Sequence, residues 1–311
     1  QVENWEIKCA NTSGHGMQTL TEALMNSCNV AMMQIAQSVG MEYIGPFTFN
    51  AIRCVLGGLV LIPVILVLKK KKETGAENQE KEDKKTLWTG GIACGVILCI
   101  ASNLQQFGIM EASVGKSGFF TALYIVMIPV IGIFIGKRPG IKLWFCVALA
   151  VVGMYLLCMK DGSFTIERAD IMLLLCALAF SFHILVVDYF SPKVGGVKMS
   201  CIQFFVCGVL SAVGMLFTET PDISNIQAAW LPLLYAGLLS CGVGYTLQIV
   251  GQKGINPVIA SLIMSLESVI SALAGWVILG QVLSPKEILG CVLMFVAIII
   301  TQIPIGNKKT D

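Results

Sequence analysis

Charged side chains are scarce in this sequence: Asp, Glu, Lys and Arg make up 13% of its 311 residues. In ordinary soluble domains they make up about a quarter. Hydrophobic residues account for 56%, and such a composition argues against a water-soluble fold. The net charge is only +2, and the lysines form no basic face that could follow a phosphate backbone. Nucleic acid is therefore not an expected partner.

Sequence patterns that hold metals or cofactors are also missing. None of the twelve cysteines has the spacing of a zinc site, and most fall in apolar runs, where cysteine behaves as a small apolar residue. Gly115, Lys116 and Ser117 match the end of a phosphate-binding loop, but Met110 stands where that loop needs its first glycine. We therefore expect no metal, no cofactor and no nucleotide site.

Long apolar runs, by contrast, are frequent. Each is roughly 20 residues long, the length at which a helix crosses about 30 Å of hydrocarbon. The runs do not alternate between apolar and polar residues, as the strands of a membrane barrel would. The pattern predicts nine membrane-spanning helices, at 48–68, 88–107, 117–136, 141–158, 170–189, 200–218, 229–249, 257–279 and 287–304.

The basic residues are distributed unevenly between the two sides that these spans define. Seven lysines lie in the connection 69–85, which the positive-inside tendency places in the cytoplasm. Following the chain from there puts fifteen basic residues on the cytoplasmic side and four on the other, with Arg53 inside a span. The sequence thus predicts a multi-pass protein of a bacterial-type plasma membrane with a cytoplasmic C-terminus.

The spans fall into two similar halves. A glycine-rich span at 118–136 is followed by a second at 142–157, and the same order of spans, loops and glycines returns at 260–280 and 286–300. The charge distribution makes the matching spans run in opposite directions. Inverted repeats of this kind are common in secondary transporters, where the substrate binds near the membrane midplane between the repeats. The second half has five predicted spans, but the first has four.

Three stretches carry a family resemblance: AQSVGMEYIGPFTFNAIRCVLGGLVLIPV (36–64), GKSGFFTALYIVMIPVIGIFIGKRP (115–139) and SLESVISALAGWVILGQVLSPKEILGCVLMF (265–295). They closely resemble the EamA-type transporters of the drug/metabolite transporter superfamily, over about 270 residues. The resemblance implies ten helices in two inverted five-helix repeats. It also implies transport without ATP hydrolysis of amino acids or other small metabolites, often outward.

The polar N-terminal segment does not fit that family. Ser27-Cys28-Asn29, preceded by Gly14-His15-Gly16, resembles the Ser-X-Asn region of the transpeptidase domain of penicillin-binding proteins. The Ser-X-X-Lys nucleophile and the Lys-Thr-Gly strand of such domains are not in place, and a short fragment cannot supply nucleophile, base and oxyanion donors together. Transpeptidase activity is therefore disfavoured.

The chain is predicted to have three parts: a penicillin-binding-protein-like fragment at 1–35, an incomplete first transporter repeat at 36–160, and a second repeat at 168–306. An amphipathic segment would replace the family's first helix, and the start without Met adds to the impression of a fusion. Two alternatives stay open for residues 17–39. If this segment inserts into the bilayer, ten spans are restored; otherwise nine remain.

Ionisable side chains inside spans are costly, so each is a candidate functional residue. Glu267 lies near the centre of 257–279, where it could take up and release a proton as a coupling site. The alternative is a hydrogen-bonded structural glutamate between the repeats. Arg53 could bind an anionic substrate group with two hydrogen bonds, or it could extend to the lipid headgroups.

The other candidates are polar side chains on neighbouring spans. Tyr124 aligns with Glu267 when the two repeats are superposed, so both could face one cavity. Gln106 and Gln248 could contact the polar part of a substrate, although amides also bond helix to helix. His183 and Gln203 lie in the first two spans of the second half, and histidine can change charge near neutral pH.

The sequence as a whole predicts an all-α integral membrane protein built from two inverted helical repeats. We expect a secondary transporter, driven without ATP, that exports small metabolites such as amino acids or drugs. Its expected partners are a small-molecule substrate and the lipid bilayer, while coupling ion and oligomeric state are left open. One alternative is a membrane remnant that does not transport, because a missing first helix would remove one wall of the cavity. The other, disfavoured, is a penicillin-binding transpeptidase.

Overall fold

The computed structural model describes residues 6–8, 17–19, 37, 40–41, 43–74, 83–112, 114–136, 139–158, 167–266, 269 and 284–303. Two short strands, β1 (Glu6–Lys8) and β2 (Met17–Thr19), pair antiparallel. All other regular structure in these ranges is helical. The helices are α1 (Pro46–Thr74), α2 (Lys84–Glu111), α3 (Val114–Ala122), α4 (Tyr124–Phe134), α5 (Ile141–Cys158), α6 (Arg168–Phe190), α7 (Gly196–Thr218), α8 (Ile223–Ala228), α9 (Trp230–Leu234), α10 (Thr246–Gly251), α11 (Pro257–Leu266) and α12 (Pro285–Gln302).

Six stretches of the described chain are long and apolar enough to cross a membrane. They are Pro46–Lys70, Lys84–Glu111, Ser117–Phe134, Arg168–Phe190, Gly196–Thr218 and Trp230–Gly251. Shorter apolar helices cover Ile141–Leu157 and Pro257–Leu266, and α12 follows. Each of the nine predicted spans therefore overlaps a helix, and the prediction of an all-α membrane protein is confirmed. Most of residues 17–39, and with them the predicted amphipathic segment, lie outside the described residues.

Helix starts are set by local hydrogen bonds of polar residues at the ends of apolar runs. The Asp83 carboxylate accepts hydrogen bonds from the backbone N–H groups of Lys85 (3.1 Å) and Thr86 (3.2 Å), and so caps α2. The Thr86 hydroxyl, followed by these N–H groups, holds the pKa of Asp83 below its usual value. At α12, Ser284 and Glu287 form a reciprocal capping box. These caps fix where the two helices begin.

Two spans are not regular α-helices. The span 117–134 is broken at Leu123, where α3 ends and α4 begins at Tyr124. Between α9 and α10 the backbone is π-helical over Tyr235–Tyr245. Segments of π-helix, in which each N–H group bonds five residues back, are rare and are found frequently at functional sites. The apolar run that predicted one continuous helix at 229–249 gives no sign of this change.

The halves of the chain are interleaved. α1 packs against α7 and the π-helical segment, and α2 packs against α6 and α7. α5 packs against α12, with Gly153 and Gly290 at the crossing. A Cβ added at Gly290 would lie 2.6 Å from the Gly153 carbonyl oxygen, so only a residue without a side chain allows this approach. Helices of the first half are thus held mainly by helices of the second.

Candidate functional site

Arg53 lies at the centre of the contact between α1, α7 and the π-helical segment. Its side chain is only 1% exposed, so it does not extend to the headgroup region. Its Nε and Nη1 atoms have no hydrogen-bond partner among the described residues. Its Cζ atom lies 5.8 Å from the centroid of the Phe49 ring, one turn earlier on α1. A buried guanidinium with free donors is costly in a protein interior, and it attracts an anionic group.

Several cysteine thiols lie in the core beside Arg53. Cys54 follows it on α1, and Cys54, Cys207 and Cys241 belong to one buried apolar cluster, against which Cys99 and Tyr245 pack. The Sγ atoms of Cys54 on α1 and Cys207 on α7 are 3.4 Å apart. We call Cys54, Cys99, Cys207 and Cys241 the thiol cluster; its members come from α1, α2, α7 and the π-helical segment. Their positions in apolar runs predicted only apolar filling, and no local pattern in the sequence indicates that they meet.

A chain of amide hydrogen bonds joins α1, α2 and α7 beside the thiol cluster. Asn50 Nδ2 donates to Asn103 Oδ1 (2.8 Å), and Asn103 Nδ2 donates to Ser211 Oγ (3.2 Å). The Ser211 hydroxyl in turn lies 3.5 Å from the Cys99 sulfur. Cys99, Ser102, Asn103 and Gln106 follow the spacing of one helix face, which is the sequence signal for this polar stripe.

Gln106 ends that stripe. Its side chain is 0% exposed, and both Oε1 and Nε2 lack a partner within the described ranges. Gln105, beside it, is also buried, with an unpartnered Oε1. A buried primary amide without bonds costs free energy, so groups of this kind usually meet water or a ligand.

His183 and Gln203, which the sequence nominated separately, are brought together. His183 Nε2 lies 3.1 Å from Gln203 Oε1, and both side chains are 0% exposed. The contact joins α6 to α7. Because the amide oxygen can only accept, Nε2 donates this bond and Nδ1 is left for another partner. Neither Nδ1 of His183 nor Nε2 of Gln203 has a partner in the described part of the chain.

Two of the three remaining candidates, Gln248 and Tyr124, lie in the described residues. Gln248 on α10 is half-buried, and Gln252 four residues later takes the buried position, donating to the Ile184 carbonyl oxygen (2.7 Å). Tyr124 starts α4 and packs against both large apolar clusters of the core. Glu267 lies outside the described residues. Among those that are described, no group of three or more His, Cys, Asp or Glu is arranged to bind a metal ion.

Comparison with known proteins identifies a family. The EamA-like transporter family matches the chain twice, over residues 21–159 and 167–303. A protein named "Uncharacterized transporter" from Archaeoglobus fulgidus is 26% identical over 266 residues, 85% of this chain and 79% of its own. "Uncharacterized transporter YwfM" from Bacillus subtilis is 23% identical over 288 residues, 88% of this chain and 90% of its own.

A protein of known crystal structure shares the fold. Its TM-score is 0.67 at 16% sequence identity, and the alignment covers 91% of this chain and 96% of that one. At this identity the likeness concerns the fold alone.

The predicted penicillin-binding-protein fragment at 1–35 finds no support in these comparisons. The family match begins at residue 21, within the segment that was assigned to the foreign domain. Residues 1–20 lie outside the family match, so for them the resemblance stays a prediction.

Proposed function

The chain belongs to the EamA-like transporter family, and from this membership we propose that it is a secondary transporter that exports a small organic metabolite. Family and relatives are transporters rather than enzymes, and the helices make it a multi-pass membrane protein. The cargo class we propose is a metabolite of the size of an amino acid or a small drug, moved without ATP. The lysine-rich connection 69–85 supports a plasma-membrane orientation with the C-terminus in the cytoplasm.

The observation that carries this proposal is the group of buried polar side chains without partners. Arg53, Gln106, His183 and Gln203 are all buried, and each has at least one side-chain nitrogen or oxygen unpartnered among the described residues. Leaving a buried donor or acceptor unpaired costs about 1–3 kcal/mol. A binding site that fills with cargo or water during the cycle would repay this cost, whereas a purely structural core would not.

Within this proposal Arg53 binds the anionic part of the cargo. Its planar guanidinium can hold a carboxylate through two parallel hydrogen bonds, and two of its nitrogens are unpartnered in the described structure. His183 and Gln203 contact a polar group through Nδ1 and Nε2, the two atoms that their mutual hydrogen bond leaves unused. Gln106 contacts the cargo from α2. Tyr124 and Gln248 are proposed as outer parts of the same site.

Glu267 is proposed as the coupling residue. A carboxylate near the middle of a span is expensive to keep charged, and its protonation would make movement of the loaded protein between its two states less costly. Asp, Glu and His residues in spans of transporters commonly act as proton relays. The proposal for Glu267 depends on its position in the sequence, because the described structure does not include it.

Cargo movement is proposed to occur by rocking of the two halves. The contacts α1–α7 and α5–α12 each join one helix from each half. In a transporter built from inverted repeats, such contacts open at one membrane face while they close at the other. The polar side chains around Arg53 lie on the first of these contacts.

The role of Arg53 can be tested by ligand-dependent stabilisation of purified protein. A panel of small carboxylates, amines and neutral metabolites is added to the wild type, and cargo is identified by a rise in Tm. We expect Arg53→Gln to weaken binding by about 10- to 100-fold, the loss of one charged hydrogen-bonding group. Arg168→Gln, which removes an exposed arginine at the start of α6, is the matched control and should bind normally.

Transport is then measured in liposomes with the cargo so identified. Equal binding and equal transport by Arg53→Gln and wild type would contradict the anion-binding role. A wild type that binds cargo but moves none would favour the alternative of a membrane protein that has lost transport.

A further inference from the structure

Glu219 makes three hydrogen bonds to the beginning of α1, although it follows α7 in the chain. Its Oε1 accepts from the backbone N–H of Phe47 (2.8 Å), and its Oε2 accepts from the backbone N–H (2.9 Å) and the hydroxyl (2.6 Å) of Thr48. Glu219 and Thr48 are 171 residues apart in sequence. The contact therefore ties the second half of the molecule to the first.

These bonds replace a cap that α1 does not have of its own. The first helical bond of α1 runs from the Phe49 N–H to the Gly45 carbonyl oxygen (2.9 Å). Pro46 has no N–H to satisfy, so the N–H groups of Phe47 and Thr48 are the donors that a side-chain cap normally meets. α1 has no acidic residue in its first turn. Glu219 supplies the missing negative charge at the positive end of this helix.

The neighbouring backbone is shaped for this contact. A Cβ added at Gly45 would overlap the Glu219 carboxylate, and one added at Gly214 on α7 would lie 2.6 Å from the Phe47 ring. Both glycines allow α1 and α7 to approach at this end of their contact. The position of Glu219 is thus set by packing as well as by hydrogen bonds.

We call the contact between α1 and α7 the seam. The Glu219 contact lies at one end of this seam, and the candidate site around Arg53 lies farther along it. Thr48 and Arg53 are five residues apart on α1, a rise of about 7.5 Å. Asn50 lies between them on α1, and its amide is joined through Asn103 on α2 to Ser211 on α7. The Glu219 end is also the end of α1 opposite the lysine-rich connection 69–85.

We propose that Glu219 holds α1 and α7 together at the point where cargo leaves the transporter, and we call its three hydrogen bonds the latch. This inference rests on the proposed transport by rocking halves, in which α1 and α7 must part here. Loss of the latch shifts the population of the protein toward the state open at this end. Glu219 is a positioning residue, because it touches the beginning of α1 and not the site around Arg53.

The experiment measures access to Cys54, which lies on the seam and is 1% exposed. Protein in oriented vesicles is treated from the Glu219 side with a membrane-impermeant maleimide, and the labelling rate of each cysteine is read by peptide mass spectrometry. We expect Glu219→Gln and Gly45→Ala to raise the labelling rate of Cys54 about tenfold, a change of about 1.4 kcal/mol in the opening equilibrium. The first variant weakens the acceptor, and the second displaces it.

Two controls separate gating from damage. Asp222→Asn changes a nearby exposed carboxylate that caps only its own helix α8, through Ser224 N–H (3.1 Å), and should leave the rate at Cys54 unchanged. Cys291 on α12 is buried in the other half-to-half contact and reports general loosening. An unchanged rate at Cys54 in Glu219→Gln, or an equal rise at Cys54 and Cys291, overturns the latch.

The readout also separates this inference from the proposed function. Labelling needs no cargo, so the latch can be confirmed in protein for which no transported compound has been found. Transport that persists with wild-type kinetics while Cys54 labelling is unchanged in Glu219→Gln would contradict the latch and leave the transporter assignment intact.

Discussion

At the scale of single residues, the core of this protein combines tight packing with unmet polar groups. His183 and Gln203 form one hydrogen bond with each other. Each also has one side-chain nitrogen without a partner among the described residues. A mutation that removes one partner leaves the other without its bond. The bonded atoms hold α6 to α7, whereas the unbonded nitrogens are proposed to face the cargo. Loss of the bond should therefore lower stability, and loss of an unbonded nitrogen should weaken cargo binding.

Replacing Gln203 by Ala should destabilise the protein by about 1–3 kcal/mol, because His183 Nε2 would lose its acceptor in a buried position. Thermal unfolding in detergent, followed by the loss of helical signal, gives the measurement. Gln248→Ala is the control, since Gln248 is half-buried, and its change should stay within about 0.5 kcal/mol. Equal effects of the two substitutions would show that the buried contact has no special weight.

At the scale of helices, close crossings without side chains hold the two halves together. Gly153 on α5 and Gly290 on α12 meet backbone to backbone, and Met294 closes the contact from α12. Because the crossing has no spare volume, even one added methyl group should destabilise it. The end of α10 is different, for Gly251 has no atom within 4 Å of an added Cβ.

Gly290→Ala should therefore cost about 1–3 kcal/mol through overpacking at the crossing. Gly251→Ala should be neutral or slightly stabilising, because alanine lowers the backbone entropy of the unfolded chain without meeting another atom. The two variants are compared by their Tm in the same detergent. A smaller loss at Gly290 than at Gly251 would mean that α5 and α12 do not pack as described.

The helices themselves could be predicted, whereas their mutual contacts could not. Hydropathy is a local property, so each predicted span overlaps a helix, and the cap at Asp83 follows the usual residue preference. The contact of Glu219 with Thr48 depends on helix packing across 171 residues, for which the sequence carries no local signal. Gln252 was missed in favour of Gln248 because the rotation of a helix within the bundle decides which side chain is buried.

At the scale of the whole molecule, the thiol cluster lies where the two halves meet. Cys54 belongs to a helix of the first half and Cys207 to one of the second, and their sulfur atoms are 3.4 Å apart. A disulfide needs about 2.0 Å between them, so the two sulfur atoms must approach by about 1.4 Å. A bond here would join the halves covalently at the level of the candidate site.

Oxidation of the protein by oxygen with copper-phenanthroline should join Cys54 and Cys207, with each thiol losing one hydrogen atom. We expect transport to stop and to return after dithiothreitol, because the halves can no longer rock. Mass spectrometry of the linked peptides identifies the bond. Cys207→Ser is the control and should remain active under oxidant. Full transport by the cross-linked protein would contradict movement of the halves at this contact.

The π-helical segment allows the part of the candidate site that it forms to change its conformation. Its backbone N–H groups bond five residues back instead of four, so the stretch Tyr235–Tyr245 holds its residues in a wider coil than the α-helices on either side. The same groups can change to α-helical partners one at a time without leaving any of them unbonded. Each exchange would rotate the following part of the span about its own axis. Tyr245 at the end of this coil, which packs against the core cluster that contains Cys54 and Cys207, would then change its position relative to that cluster.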